Sequence, residues 1–555
     1  MARHWLAPVL YLITVWICIA PETGDTLNYC GDVLAARRGI WSTRFHPLWE
    51  FGHLLWRPIG AALAPVVLTT VPDSQAWTPL LKIAWGLTAL NGIAGFLVVI
   101  FLYRITLRFT KSWIASTFFA LVLMWANGFL LYTQSGSAYI VGLLFEVLAL
   151  RVQLREDVKE SWKQDAWATV LMAIAVLLWF PYILVFPAVA AARWLVNGLT
   201  PREGLRQFVR IGVLGALIIG AAITAGAWLA GARSGADALD WYRSAKHGVN
   251  QTNQLVRAVS GVPRLLLDLT GEGVTLKRFV LHDPYNPVSR LGFLLSLWKV
   301  LLFYALAFTG LLLGWLWLPA RRWLLLFALA WVPLLAFSVF VFEPSGPERF
   351  MPALPILMLS WASIWPASGS WAKLGHVTLV VLATIGILVN VQRFALGGGR
   401  EESASLARLQ ELNQQTNPGD VMIVVTFSDP LVKLIEQRPF QPQNRMRKFG
   451  TYYLVELATD NAIHWRAAFA KRVLGEWGDH RVWLTKSVRD DIPPSRIQWT
   501  EGDNPLLKWK DFPALFTKLE YDAETGQQEG FIRLAQSQLN RAELQQLIES
   551  DPEAQ

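Results

Sequence analysis

Charge and cysteine are what this chain has least of. Asp, Glu, Lys and Arg make up 16% of its 555 residues, against roughly 25% in soluble domains. That shortfall argues against a soluble globular protein. Two cysteines, Cys18 and Cys30, supply neither a disulfide framework nor a zinc site. No group of His, Cys and Asp has ligand spacing; His247 and the HDPYNP turn, with His282 and Asp283, read first as loop residues. No glycine loop cradles a phosphate, and GGGR at 397–400 reads as a flexible linker. Solenoid repeats and low-complexity tracts are absent, and no basic–aromatic pattern points to nucleic acid.

What is there is apolar. Hydrophobic residues reach 54%, with 28 Trp and 29 Phe, and repeated stretches approach the roughly 20 residues that cross a bilayer. The expected spans are 5–21, 79–103, 113–132, 137–152, 165–180, 181–196, 210–231, 291–318, 322–342, 350–366 and 375–392. The first reads as a retained helix, because no small-x-small cleavage site precedes PETGD. Residues 51–71 are apolar enough to span, yet His53, Arg57, Pro58, Gly60 and Pro65 interrupt them.

The net charge of +9 decides that case. From Gly397 onward 19 Lys/Arg stand against 23 Asp/Glu, a balance of −4, which leaves 31 against 18, or +13, for the membrane portion. If 51–71 lies along the outer surface, the basic loops around Arg104, Arg151, Arg202 and Arg321 all fall on the cytoplasmic side. If it crosses, they all flip outward. The first arrangement gives about eleven spans, the amino terminus inside and the tail outside. Four polar pieces then share the outer face: 22–78, the loop 232–290, the turn 342–350 and the tail. In the tail, strand-like VMIVVTF at 421–427 and RVWLT at 481–485 alternate with helical segments near 401–415, 430–437 and 464–476. That pattern predicts a small α/β domain over 397–555 beside a transmembrane domain over 1–396.

The outer pieces carry the carboxylates. Asp25 stands about five residues past the first apolar run, and Asp32 seven further on, about two helical turns. A carboxylate beside a low-dielectric surface is expected to titrate high, which suits a general base; a solvated helix cap is the plainer alternative. Arg37 follows on the same segment, then His46 and Glu50. The turn FEPSGPERF gathers Glu343, Glu348 and Arg349. The guanidinium fork of Arg349 matches a phosphate, or it snorkels at the interface.

The order GDxxxY from Gly24, LAARRG ending at Gly39, HPL at 46–48, GSAYIVGLLFEVLAL at 136–150, a short hairpin at 165–196 and ERFMPALPILML at 348–359 resembles the GT-C class of membrane glycosyltransferases. The likeness is to the branch using lipid-linked sugars, which includes protein mannosyltransferases and aminoarabinose transferases, and it covers roughly residues 1–392. Thr26 stands where that class often has a second acid, and HPL has one proline where two are frequent. The resemblance implies that Asp25 is the first-loop catalytic acid and that the Glu348-Arg349 turn lies near the lipid phosphate. It also implies inverting transfer from a polyprenyl-phosphate-linked sugar to a glycan, lipid or protein acceptor at the outer face of a plasma (inner) membrane.

On this reading Asp25 is the general base and Asp32 a second catalytic candidate, for orienting the acceptor or holding a divalent cation. Arg349, Glu348, Glu343, His46 and Arg37 would bind substrate. No cofactor is assigned beyond that open cation. The alternatives are a lipid or small-solute transporter or flippase, and a non-catalytic assembly subunit. A transporter should bury paired charges in its spans or show two repeated halves; here Glu146 is the main charge inside a span. A reporter fused at Gly398 should report an extracytoplasmic position. Cytoplasmic activity there would overturn the topology and, with it, the shared outer face.

Overall fold

The computed structural model describes residues 5–18, 24–39, 44–70, 79–155, 161–245, 255–280, 282, 287–342, 346–424, 449–454, 464–478, 480–491, 512–525 and 530–551. Two compact units are present: Met1–Leu269 with Lys299–Gly398, and Thr270–Trp298 with Gly399–Gln555.

The first unit is helical. In chain order it opens with α1 (Leu6–Ile17), α2 (Gly24–Arg38), α3 (Trp56–Thr70), α4 (Pro79–Thr110), α5 (Trp113–Met124), α6 (Asn127–Thr133), α7 (Tyr139–Gln153), α8 (Trp162–Leu178), α9 (Phe186–Asn197) and α10 (Pro201–Leu229). Apolar helices over Trp298–Leu316, Arg321–Phe340, Leu354–Ile364 and Ser370–Val391 follow. This is a multi-pass membrane protein. Among the described residues six helices are long and apolar enough to cross a bilayer, or seven if the bent pair α5–α6 is one span. The other four expected spans, 5–21, 137–152, 165–180 and 350–366, are helical too, but as α1, α7, α8 and Leu354–Ile364 they have only 12, 15, 17 and 11 residues. In two of them a 3-10 segment takes an end of the apolar run, Phe180–Leu184 after α8 and Pro347–Ala353 before Leu354–Ile364.

Two polar devices order the bundle. The first repairs the 68° break between α5 and α6. Its loose backbone is satisfied from elsewhere, as membrane burial demands. Asn390 Nδ2 donates to the carbonyls of Trp125 and Leu266, each at 2.6 Å. Asn127 Nδ2 donates to Arg264 O at 2.6 Å. The second device is an ion cluster: the buried Asp165 of α8 pairs with Arg193 of α9 and Arg210 of α10. Arg193 also donates to Gln164 Oε1 at 2.9 Å, and Gln207 donates to Gln153 Oε1 at 2.9 Å, adding α7. Arg193 and Arg210, which flank the basic loop around Arg202, are thus partly spent on packing.

The second unit holds a five-stranded sheet. Strands β1 (Val421–Val424), β2 (Gly450–Tyr453), β3 (Val482–Thr485), β4 (Tyr521–Glu524) and β5 (Phe531–Leu534) lie in the order β2-β1-β3-β5-β4. β1 runs parallel to both neighbours, and β5 antiparallel to β3 and β4. VMIV and VWLT read as continuous apolar runs because both sheet faces are covered. Val421, Ile423, Val482 and Leu484 pack with Trp465, Phe469 and Val473 of the helix Trp465–Glu476. Met422, Val424 and Trp483 face Leu409 and Leu412 of the helix Gly398–Gln415. The expected linker at 397–400 is therefore helical, while the helix expected at 430–437 lies outside the described residues.

Just ahead of β1, Asp420 is the sheet's buried anion. Its carboxylate accepts from Arg481 Nη2 at 2.8 Å, from the Asn417 amide at 2.8 Å and from Trp483 Nε1 at 3.3 Å. Burial opposes the charge, yet these donors hold the carboxyl below its usual range. Its stabilisation is therefore present above the unfolded pKa of about 3.9 and is lost as pH falls through the lower folded value. Asp420→Ala should destabilise the sheet by about 2–3 kcal/mol at pH 7. Proteolysis of the full-length protein, scored for cleavage beyond residue 399, measures this. The difference from wild type should shrink below about pH 4; equal protection at pH 7 would contradict the role.

Candidate functional site

Asp25 lies in the first turn of α2, where a carboxylate complements the helix's positive end. It is half-buried, and Tyr139 Oη donates to its Oδ2 at 3.0 Å. Tyr139 opens α7, and Tyr132 lies in the last turn of α6, one short link earlier. Their rings meet edge to face with centroids 4.7 Å apart. Tyr132 in turn donates to Oε2 of the buried Glu348. Glu348 stands in the 3-10 turn Pro347–Ala353, and its Oε1 is 3.3 Å from Arg349 Nε. The Arg349 guanidinium carbon rests 3.7 Å from the centre of the Phe342 ring. Two tyrosines thus join Asp25 to the Glu348-Arg349 turn, across more than 300 residues of sequence.

The link between α6 and α7 is pinned from three sides. The Gly136 amide donates to Thr26 Oγ1 at 2.9 Å, beside Asp25. Gly136 O accepts from Trp56 Nε1 at 2.9 Å. Asn91 Nδ2 donates to the carbonyls of Ser135 and Ser137 at 2.6 and 2.5 Å. No side chain fits at Gly136: a Cβ there would stand 2.5 Å from Thr26 Cγ2 and 3.2 Å from Leu87 Cβ.

Asp32 does not join this chain of contacts. Its Oδ2 is 2.9 Å from Arg57 Nη2, which is also 2.9 Å from Glu50 Oε2. Arg57 Nη1 donates to Pro47 O at 2.9 Å, so the HPL turn is tied to the same cation. His46 shapes that turn: its Nδ1 accepts from the Leu48 amide at 3.3 Å, and its own amide donates to Ala230 O at 3.0 Å. Arg37 is exposed in the last turn of α2. Glu343 and Asp283 lie outside the described residues, and His282 sits at φ 52° in a turn.

Sequence reasoning passed over Tyr29, His53, Arg57, Tyr132 and Tyr139. Tyr29 Oη and His53 Nε2 are 3.1 Å apart, and His53 Nδ1 is 3.1 Å from Leu178 O. Burial pushes the Tyr29 hydroxyl well above its ordinary value; Asp25 and Glu50 add to that, and Arg57 offsets part of it. The available signal for His53 and Arg57 was their intrusion into an apolar run. Among the described residues, no three His, Cys, Asp or Glu side chains come together as a metal site requires.

Gly136→Ala should lower the melting temperature of the purified protein, since overpacking costs about 1–3 kcal/mol. Adding Thr26→Ser removes the clashing methyl and keeps the oxygen that accepts from the Gly136 amide. It should restore most of the loss; failure to do so would place the strain elsewhere.

No protein-family model matches this chain, and no curated protein does. Among solved structures it is similar to ArnT from Cupriavidus metallidurans. For the form bound to undecaprenyl phosphate, the match has 10% identity and a TM-score of 0.48, covering 97% of this chain and 98% of that one. For the apo form, identity and TM-score are the same, with 98% of each chain covered.

Proposed function

We propose that this protein is an inverting glycosyltransferase that moves a sugar from a polyprenyl-phosphate donor to an acceptor hydroxyl at the outer face of the membrane. The observation that carries the reading is the pairing of Asp25 with Tyr139 in the same buried cluster as Glu348 and Arg349. Its second support is the motif order shared with lipid-linked-sugar transferases.

Asp25 takes the acceptor's proton, and the acceptor oxygen attacks the anomeric carbon from the face opposite the lipid. The bond from that carbon to the phosphate oxygen breaks, and the lipid phosphate leaves with the electron pair. Arg349 offsets the charge that develops there, an electrostatic contribution. Glu348 orients Arg349. Glu343, His46 and Arg37 are assigned to substrate binding, and Asp32, held by Arg57, the lesser catalytic part. The acceptor's class and the sugar stay unassigned.

A transport reading has two observations in its favour, the first being the buried charge cluster of Asp165, Arg193 and Arg210 on α8, α9 and α10. Glu146 of α7 is buried, and neither of its carboxyl oxygens has a hydrogen-bond partner among the described residues. Such acids in spans mark proton and solute paths.

One experiment separates these readings. Membranes lacking the protein should accumulate a lipid-linked sugar, and re-expression should clear it. Asp25→Asn keeps the shape of the side chain but cannot take a proton, so transfer should fall by roughly 10² to 10⁴ while membrane insertion stays normal. Arg349→Lys should weaken donor dependence, and Asp32→Asn should cost less than Asp25→Asn. Wild-type transfer by Asp25→Asn would return Asp25 to a helix cap. Lost activity in Glu146→Gln with Asp25→Asn intact would favour transport.

A further inference from the structure

Away from the Glu348-Arg349 turn, the helices Trp298–Leu316, Arg321–Phe340 and Leu354–Ile364 enclose an apolar cleft. Gly310, Gly314, Trp323, Leu324, Ser360 and Trp361 are among the residues that line it. The two glycines let the walls approach: a Cβ on Gly310 would stand 2.5 Å from Trp361 Nε1, and one on Gly314 3.0 Å from Leu324 Cδ2. One polar atom interrupts this lining. Ser360 is only 7% exposed, and its Oγ has no hydrogen-bond partner among the described residues. A buried hydroxyl left without an acceptor is costly. The cleft therefore suits an occupant that is apolar along its length and offers one acceptor.

The rim is cationic. The helix Arg321–Phe340 begins there, with no acid in its first turn and no side-chain cap. Its first amides thus present a positive end to a ligand. Arg321 is exposed and follows Ala320, which lines the cleft. Its Nε donates to Trp315 O at 3.1 Å, and its guanidinium carbon lies 5.2 Å from the centre of the exposed Trp315 ring. Tryptophan and arginine side by side mark the depth of lipid headgroups. Arg322 faces elsewhere, its Nη1 3.2 Å from where a Cβ on Gly198 would stand, at the end of α9.

We propose that this cleft binds an anionic glycerophospholipid: one acyl chain lies along the cleft, the phosphate rests on Arg321 and the first amides of its helix, and an ester carbonyl accepts from Ser360. This lipid is not the donor assigned to Arg349. Arg349 rests on the Phe342 ring, just past the far end of the helix that Arg321 opens. That helix has 20 residues, roughly 30 Å, which matches the hydrocarbon thickness of a bilayer. A single phosphate cannot serve both cations, so the two lipids belong to opposite leaflets. The site is independent of the chemistry given to Asp25.

Lipid titration of the purified full-length protein, read by native mass spectrometry, tests this. Wild type should bind dioleoylphosphatidylglycerol about fivefold more tightly than dioleoylphosphatidylcholine, and glycerol phosphate without chains should not compete. Equal affinity for the two lipids, or competition by glycerol phosphate, would overturn the proposal. Arg321→Gln should lower phosphatidylglycerol affinity about fivefold, the value of one cation at an anionic headgroup. Arg322→Gln should change it less than about twofold; equal losses would show a diffuse positive field and no site. Undecaprenyl phosphate binding should not respond to Arg321→Gln. If it falls while phosphatidylglycerol binding holds, the cleft belongs to the donor and the proposal fails. A photoreactive group on the acyl chain of phosphatidylglycerol gives a reading on wild type alone. It should label peptides within 307–327 or 357–364, and labelling confined to other segments would exclude the cleft.

Discussion

The order of the segment that joins α2 to α3 depends on one cation. Arg57 gathers Asp32 of α2, Glu50 of the preceding loop and the carbonyl of Pro47, and its guanidinium carbon lies 5.6 Å from the centre of the Tyr29 ring. With its side chain only 10% exposed, Arg57 balances carboxylates that would otherwise repel in a poorly solvated pocket. Removing a single partner from such a cluster is costly, because the remaining charges stay buried. Asp32 and Glu50 are therefore bound to structure, while Asp25, on the same helix as Asp32, accepts from the phenol of Tyr139.

A second constraint is the apolar medium around the spans. The α5–α6 break would expose backbone groups in an apolar medium; Asn390 donates to Trp125 O there, the Asn127 amide donates to Leu266 O, and the same two side chains tie the break to the 264–266 turn. The break lets α6 turn so that Tyr132 reaches Glu348. The geometry of the cluster thus follows from a repaired defect in a span.

Much of this was legible in advance, and the remainder follows a pattern. Apolar runs located the helices, since period and length are local properties, and the strands at 421 and 482 announced themselves as short β-branched runs. Asp25 and the Glu348-Arg349 turn stood out because charge beside an apolar run is conspicuous. The tyrosines did not, because a Tyr within GSAYIVG or FLLYT gives no sign of which neighbour its hydroxyl meets. Nor could the sequence show that Asp32 belongs to Arg57 rather than to Asp25: seven residues along a helix put both acids on a similar face, and only packing against α3 divides them. Strand β2 pairs with β1 and β5 with β3 across long separations, β4 pairs with the nearby β5, and none of the three left a clear local period.

The cluster of Asp165, Arg193 and Arg210 bears on how the chain is made. Each of these charges alone would cost a helix about 2.5–3.5 kcal/mol at the bilayer centre, and less nearer the surface. Together they neutralise much of one another, but the partners sit on three successive helices. During synthesis α8 emerges with its acid before either arginine exists. Stable burial of Asp165 must then wait for α9 and α10, so these three helices enter the lipid as a set and the last of them commits the other two.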